Sequence, residues 1–115
     1  MKKTIDNYSM QNGFLIINKK LTKAIGLDRA AVLTELMNEY TYSKENNILF
    51  EGSWFYYNYE KFNQIGLKRK RIDSIINFLL RMGFIEIKNA GIPKRIYFKL
   101  NKEEIVNFIE GKLYF

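Results

Sequence analysis

The apolar positions of this chain follow a helical period over much of its length and a period of two between residues 84 and 100. Phe14-Leu15-Ile16-Ile17 is a continuous apolar run and reads as a short buried strand. Residues 18–25 read as a short helix with Leu21, Ala24 and Ile25 inward and Gly26 ending it. Asp28 is placed to cap a longer helix running to about Ser43, because Leu33, Leu36, Met37 and Tyr40 fall at helical spacing. Glu45-Asn46-Asn47 is a turn. Trp54-Phe55-Tyr56-Tyr57 is aromatic and strand-like, expected to pair with the first strand or with a later hairpin.

From Asn58 the elements shorten. Residues 58–65 make one short helix, Gly66-Leu67 a turn, and residues 68–82 a second helix with Ile72, Ile75, Ile76 and Leu79 on one face. Gly83 stops it. Two strands with period-2 alternation follow, at 84–88 and 94–100, with Ile85 and Ile87 in the first and Ile96, Phe98 and Leu100 in the second, and residues 89–93 form the hairpin tip. Asn101 with Glu104 has the spacing of a capping box, and Ile105, Phe108 and Ile109 give a final helix its apolar stripe.

Helix, short helix, tight turn, second helix, hairpin is the order of a winged helix. Three stretches carry a closer likeness: Ile65-Gly66-Leu67 at the turn, Leu80-Arg81-Met82-Gly83-Phe84-Ile85 where helix passes into hairpin, and Gly91-Ile92-Pro93 followed by Tyr97-Phe98. Over residues 14–110 the chain resembles the winged helix-turn-helix domains of phage and plasmid replication initiators, including DnaD-like N-terminal domains. The resemblance implies an α+β fold, mostly helical, with a small antiparallel β-hairpin as wing. It also implies work on a phage or mobile element, in replication initiation or transcription control. One position departs from the pattern: Phe62 stands four residues before the turn glycine, where a small residue is usual, so the two helices should pack more widely apart.

Composition narrows the chemistry. The length of 115 residues suits one domain, expected over residues 13–115 behind a flexible arm at 1–12. There is no cysteine and no histidine, which removes disulfides, thiolate metal sites and every Ser-His or Cys-His pair. Neither an enzyme nor a cofactor is expected. No apolar run approaches the ~20 residues of a bilayer span, and the first residues lack a signal peptide's apolar stretch, so the expected setting is cytoplasmic. The net charge of +7 favours nucleic acid or another anionic partner.

The placement of that charge matters more than its sum. At 100° per residue, Lys70, Ser74, Asn77 and Arg81 lie opposite Ile72 on the second helix, with Arg71 and Asp73 to the sides, on a face read as free of large apolar residues. Asn pairs bidentately with adenine, and Lys or Arg with guanine or phosphate. Lys68, Arg69, Lys70 and Arg71 crowd the helix N-terminus against the macrodipole, a clash that a bound phosphate relieves. Lys94 and Arg95 flank the hairpin tip and are phosphate candidates, with Lys99 further along; equally, such residues blunt an edge strand. Lys2, Lys3, Lys19, Lys20 and Lys23 form a second basic group, read as solvated surface. The partner expected is double-stranded DNA, bound by a homodimer whose contact uses the open Leu113, Tyr114 and Phe115 and the aromatic strand. The alternative is a phage-encoded adaptor or inhibitor that uses the same scaffold to bind a protein partner, from the replication machinery or the host.

Overall fold

The structure, a computed structural model, describes residues 15–111. The expected arm at residues 1–12, with Lys2 and Lys3, lies outside the described residues, as do Phe14, Leu113, Tyr114 and Phe115. What is described is a mixed α+β fold of helices around a three-stranded antiparallel sheet.

Leu15, Ile16 and Ile17 form no strand, and Ile16 is 79% exposed. So short a run carries no period of its own, and the next residue is already committed to a helix. Asn18 caps α1 (Lys19–Ile25), its Oδ1 accepting from the amides of Lys20 at 2.8 Å and Leu21 at 3.1 Å. Leu21 and Ile25, one turn apart, are buried; Ala24 is exposed, not inward, because the stripe of so short a helix is one residue wide. Gly26, at φ +93°, ends α1 and starts α2 (Leu27–Glu45) in a conformation that side chains rarely adopt. Asp28 consequently lies inside the first turn of α2 rather than at its cap.

Residues 30–34 of α2 are buried consecutively, so this helix is covered all round at the centre of the fold. Ala30 and Ala31 give neighbouring elements room to approach. Phe50 and Trp54 then exchange backbone bonds at 2.7 and 2.9 Å, turning the chain into β1 (Phe55–Tyr56). A 3₁₀ helix (Tyr59–Ile65), capped by Asn58, leads through Gly66 to α3 (Arg69–Arg81). The short helix is thus 3₁₀, and it packs on α2. Phe62 is buried there, its ring 4.6 Å from that of Tyr57 and 5.2 Å from that of Tyr59.

β2 (Ile85–Ala90) and β3 (Arg95–Leu100) form the hairpin, and β1 joins the far side of β3 through Phe55↔Phe98 and Tyr56↔Tyr97, giving the order β1-β3-β2. The aromatic strand therefore pairs with the hairpin. The tip is residues 91–94 rather than 89–93, because Asn89 and Ala90 still pair with Ile96 and Arg95. The turn begins at Gly91, whose φ of +89° most residues avoid. Phe55, Ile85, Phe98 and Leu100 turn inward on Leu33 and Leu36 of α2 and on Ile72, Ile75 and Leu79 of α3. Each such side chain contributes roughly 1.5–3 kcal/mol through burial.

α4 (Lys102–Ile109) closes the fold with Ile105 buried and Phe108 set edge-on to Phe84 at 5.2 Å. The capping box does not form. The Asn101 side chain instead donates to the Gly83 carbonyl at 2.7 Å, while its backbone N–H donates to the Phe84 carbonyl at 2.9 Å. Asn101 therefore clasps the base of the hairpin, which takes it away from the helix behind it.

Candidate nucleic-acid interface

Three features fix how α3 is presented. Beneath it, Ile72, Ile75, Ile76 and Leu79 are buried, as the periodicity requires. Ahead of it, Gly66 takes the left-handed conformation at φ 85°, ψ 13°, turning the chain from the 3₁₀ helix into α3. Beside it, the Arg29 guanidinium lies 3.8 Å from the centre of the Phe78 ring and ties α2 to α3.

On the outer side, Lys70, Ser74, Asn77 and Arg81 are all exposed and line one shallow groove together with Asp73 and Leu80. The spacing i, i+4, i+7, i+11 brings them into line, as read from the sequence. Leu80 corrects that reading: it is 37% exposed at the groove's edge, so the face does carry an apolar side chain. Its position one residue before Arg81 puts it beside the polar stripe rather than under the helix.

The N-terminal cations divide into two kinds. Arg69 is braced from three sides. It meets Asp73 at 3.2 Å and Glu60 at 3.9 Å, and its guanidinium lies 4.4 Å from the Tyr59 ring centre. Arg71 pairs with Asp28 at 3.3 Å. Lys68, Lys70 and Arg81 are exposed and have no acidic partner among the described residues. Lys68 caps α3 without a side-chain bond, and no acidic residue stands in the first turn. The amides there remain open beside cations, an arrangement that favours an anion.

Two tyrosine hydroxyls are fixed by carboxylates, one beside the groove and one at the preceding helix. The Tyr59 hydroxyl donates to Asp73 at 2.5 Å; that bond, with help from Arg69, holds the Asp73 carboxyl below the usual carboxylate range. The Tyr57 hydroxyl donates to Glu35 at 2.7 Å, and burial, reinforced by that carboxylate, pushes its ionisation well above the usual tyrosine range. Both hydroxyls stay protonated and act as fixed donors.

At the hairpin, Lys94 and Arg95 are exposed, and the Arg95 guanidinium lies 4.9 Å from the Tyr56 ring centre. Lys99 faces Glu86 at 4.0 Å, and Lys88 pairs with Glu51 while lying 4.4 Å from the Trp54 ring. Lys19, Lys20 and Lys23 are exposed on α1. The pairings of Asp28, Glu60 and Asp73 with the arginines, and the place of Tyr59 beside Arg69, are what the sequence reading missed. The Arg69–Asp73 pair was available as an i, i+4 spacing, whereas Arg71 and Asp28 are 43 positions apart.

No family model and no curated protein matches the chain. Among solved structures, one described as "N-Terminal domain of DNA binding protein" is similar with a TM-score of 0.62 and 22% identity, over 99% of this chain and 95% of that one. Another, described as "Structure of Rep-DNA complex", is similar with a TM-score of 0.60 and 21% identity, again over 99% and 95%. At these identities the likeness is one of fold. The element order and the three-stranded sheet are consistent with a winged helix.

Proposed function

We propose that this chain binds double-stranded DNA without catalysis, with α3 entering the major groove and the hairpin resting on the flanking backbone. The observation that carries the reading is the single line of Lys70, Ser74, Asn77 and Arg81 along an open groove on α3. Lys70, Ser74 and Asn77 face base edges; Lys68, Arg81, Lys94 and Arg95 take phosphates. Arg69 and Arg71, counted as phosphate ligands from the sequence, serve here mainly to brace α3, since each already holds a carboxylate. The folds it resembles include a structure described as a Rep–DNA complex, which supports DNA binding in replication; the finer setting, initiation or transcription control on a phage or mobile element, is what the family resemblance of the sequence implies. A homodimer would place two copies of α3 in successive major grooves, about 34 Å apart.

Fluorescence anisotropy with a labelled random-sequence duplex, at several salt concentrations, tests the reading. Binding that weakens steeply with salt is expected. Absence of binding at low salt would overturn it and favour a protein partner.

A further inference from the structure

Ile92 stands at the hairpin tip with its side chain wholly in solvent, at 103% relative exposure. Other exposed apolar residues keep some cover: Ile16 is 79% exposed and Leu27 60%. Isolated surface aliphatics need no explanation, but this one occupies a place where turn chemistry favours Asn, Asp or Ser. Pro93 beside it is exposed too, and Lys94 and Arg95 follow directly. Residues 92–95 therefore present two apolar side chains next to two cations, with no acidic group among them.

The hairpin also projects. β1 pairs with β3 only at Tyr97 and Phe98; beyond them Ile96 still packs on the core and Arg95 lies over Tyr56, and residues 91–94 extend past both as a two-stranded tip. At about 3.3 Å per residue the tip stands roughly 10–13 Å beyond the last backbone pairing with β1.

We propose that Ile92, with Pro93, is a wedge that enters the minor groove and partly unstacks a base step, bending the duplex while Lys94 and Arg95 hold the phosphates on either side. This rests on the DNA-binding reading above and adds a distortion to it. Ile and Pro belong to the small set of side chains that serve as such wedges, and an inserted aliphatic kinks DNA by about 20–90°. An aliphatic side chain has no hydrogen-bonding use at a base edge, and burial between bases gives this one the apolar surroundings it lacks in the free protein.

The test is ligase-catalysed circularisation of a duplex of roughly 120 base pairs, shorter than the persistence length of about 150 base pairs, so that ring closure reports bending at any sequence. Binding is measured separately by anisotropy. Saturating wild-type protein should raise monomer circles by about tenfold, and Ile92→Ser, at a concentration that also saturates the duplex, should return them to the protein-free level. Ile92→Leu, which keeps an aliphatic wedge, should circularise like the wild type. Equal circularisation by the wild type and the serine variant overturns the wedge and leaves the binding reading standing. A wild type that binds no duplex removes both.

Discussion

The division among the basic residues of α3 makes a quantitative prediction about salt. Four cations assigned to phosphates, Lys68, Arg81, Lys94 and Arg95, carry no carboxylate partner among the described residues. At about 0.9 per neutralised phosphate, they set a slope of log affinity against log salt of roughly −3.6 per protomer. Affinity for random duplex should then fall roughly 150-fold between about 50 and 200 mM salt. Arg71 differs because Asp28 lies 3.3 Å away. That pair is half-exposed and weak, so it opens easily. If Arg71 turns to a phosphate, however, the Asp28 carboxylate stays close by, and the two together remain neutral towards the backbone. Arg71→Gln should therefore change the slope by much less than one unit. Lys68→Gln and Arg81→Gln should each lower it by about 0.9, and Lys94→Gln with Arg95→Gln by up to about two. Asp28→Asn should do the opposite, freeing Arg71, steepening the slope by up to about 0.9 and tightening binding. Anisotropy titrations at four or five salt concentrations measure all of these. If Arg71→Gln flattens the slope as much as Lys68→Gln while Asp28→Asn changes nothing, the neutral-pair argument is wrong.

Asn77→Ala should cost about 1–3 kcal/mol on a site selected from random sequence and little on unselected duplex; equal losses on both reject base readout by Asn77. Phe62→Ala, which empties the space between Tyr57 and Tyr59, should destabilise the fold by about 3–5 kcal/mol in urea titration, and a loss under about 1 kcal/mol contradicts the packing described. Asp73 is held below its ordinary pKa of 3.8, so its pairing stabilises the fold at pH above that value and the contribution disappears as pH falls through the lowered one. Tyr59→Phe should accordingly raise the Asp73 titration measured by carbon NMR, and an unchanged titration disproves the role of that hydroxyl. A homodimer should appear as twice the monomer mass in light scattering at micromolar concentration; a monomer at that concentration argues against paired α3 helices.

Where periodicity was strong, the sequence was a sufficient guide. The buried face of α3 follows from Ile72, Ile75, Ile76 and Leu79, and the same geometry set Lys70, Ser74, Asn77 and Arg81 in the groove. Local patterns failed where a residue had two competing uses. Asn101 has a capping-box partner three positions on, yet it bonds to Gly83, because the pairing of Ile85 with Leu100 sets it beside the Gly83 carbonyl just past the end of α3. Asp28 looks like a cap, yet Gly26 begins the helix two residues earlier and leaves the carboxylate to Arg71. Leu15, Ile16 and Ile17 were too few to show a period. The electrostatic part of the site was the least legible, since Arg71 and Asp28 meet only after α2 and α3 have packed.

The clasp at Asn101 has a consequence for how the hairpin can vary. Its side chain and backbone bind Gly83 and Phe84, so both ends of the excursion from α3 to α4 are held together whatever lies between. Lengthening the tip at residues 91–94 then asks nothing of the core, and even a doubling of the loop costs only about 0.6 kcal/mol in closure entropy. The outer end of the arm is in that sense an interchangeable part. Tips of different length and side chain can be exchanged on one scaffold, altering what the arm does at its far end while the seat of α3 stays as it is.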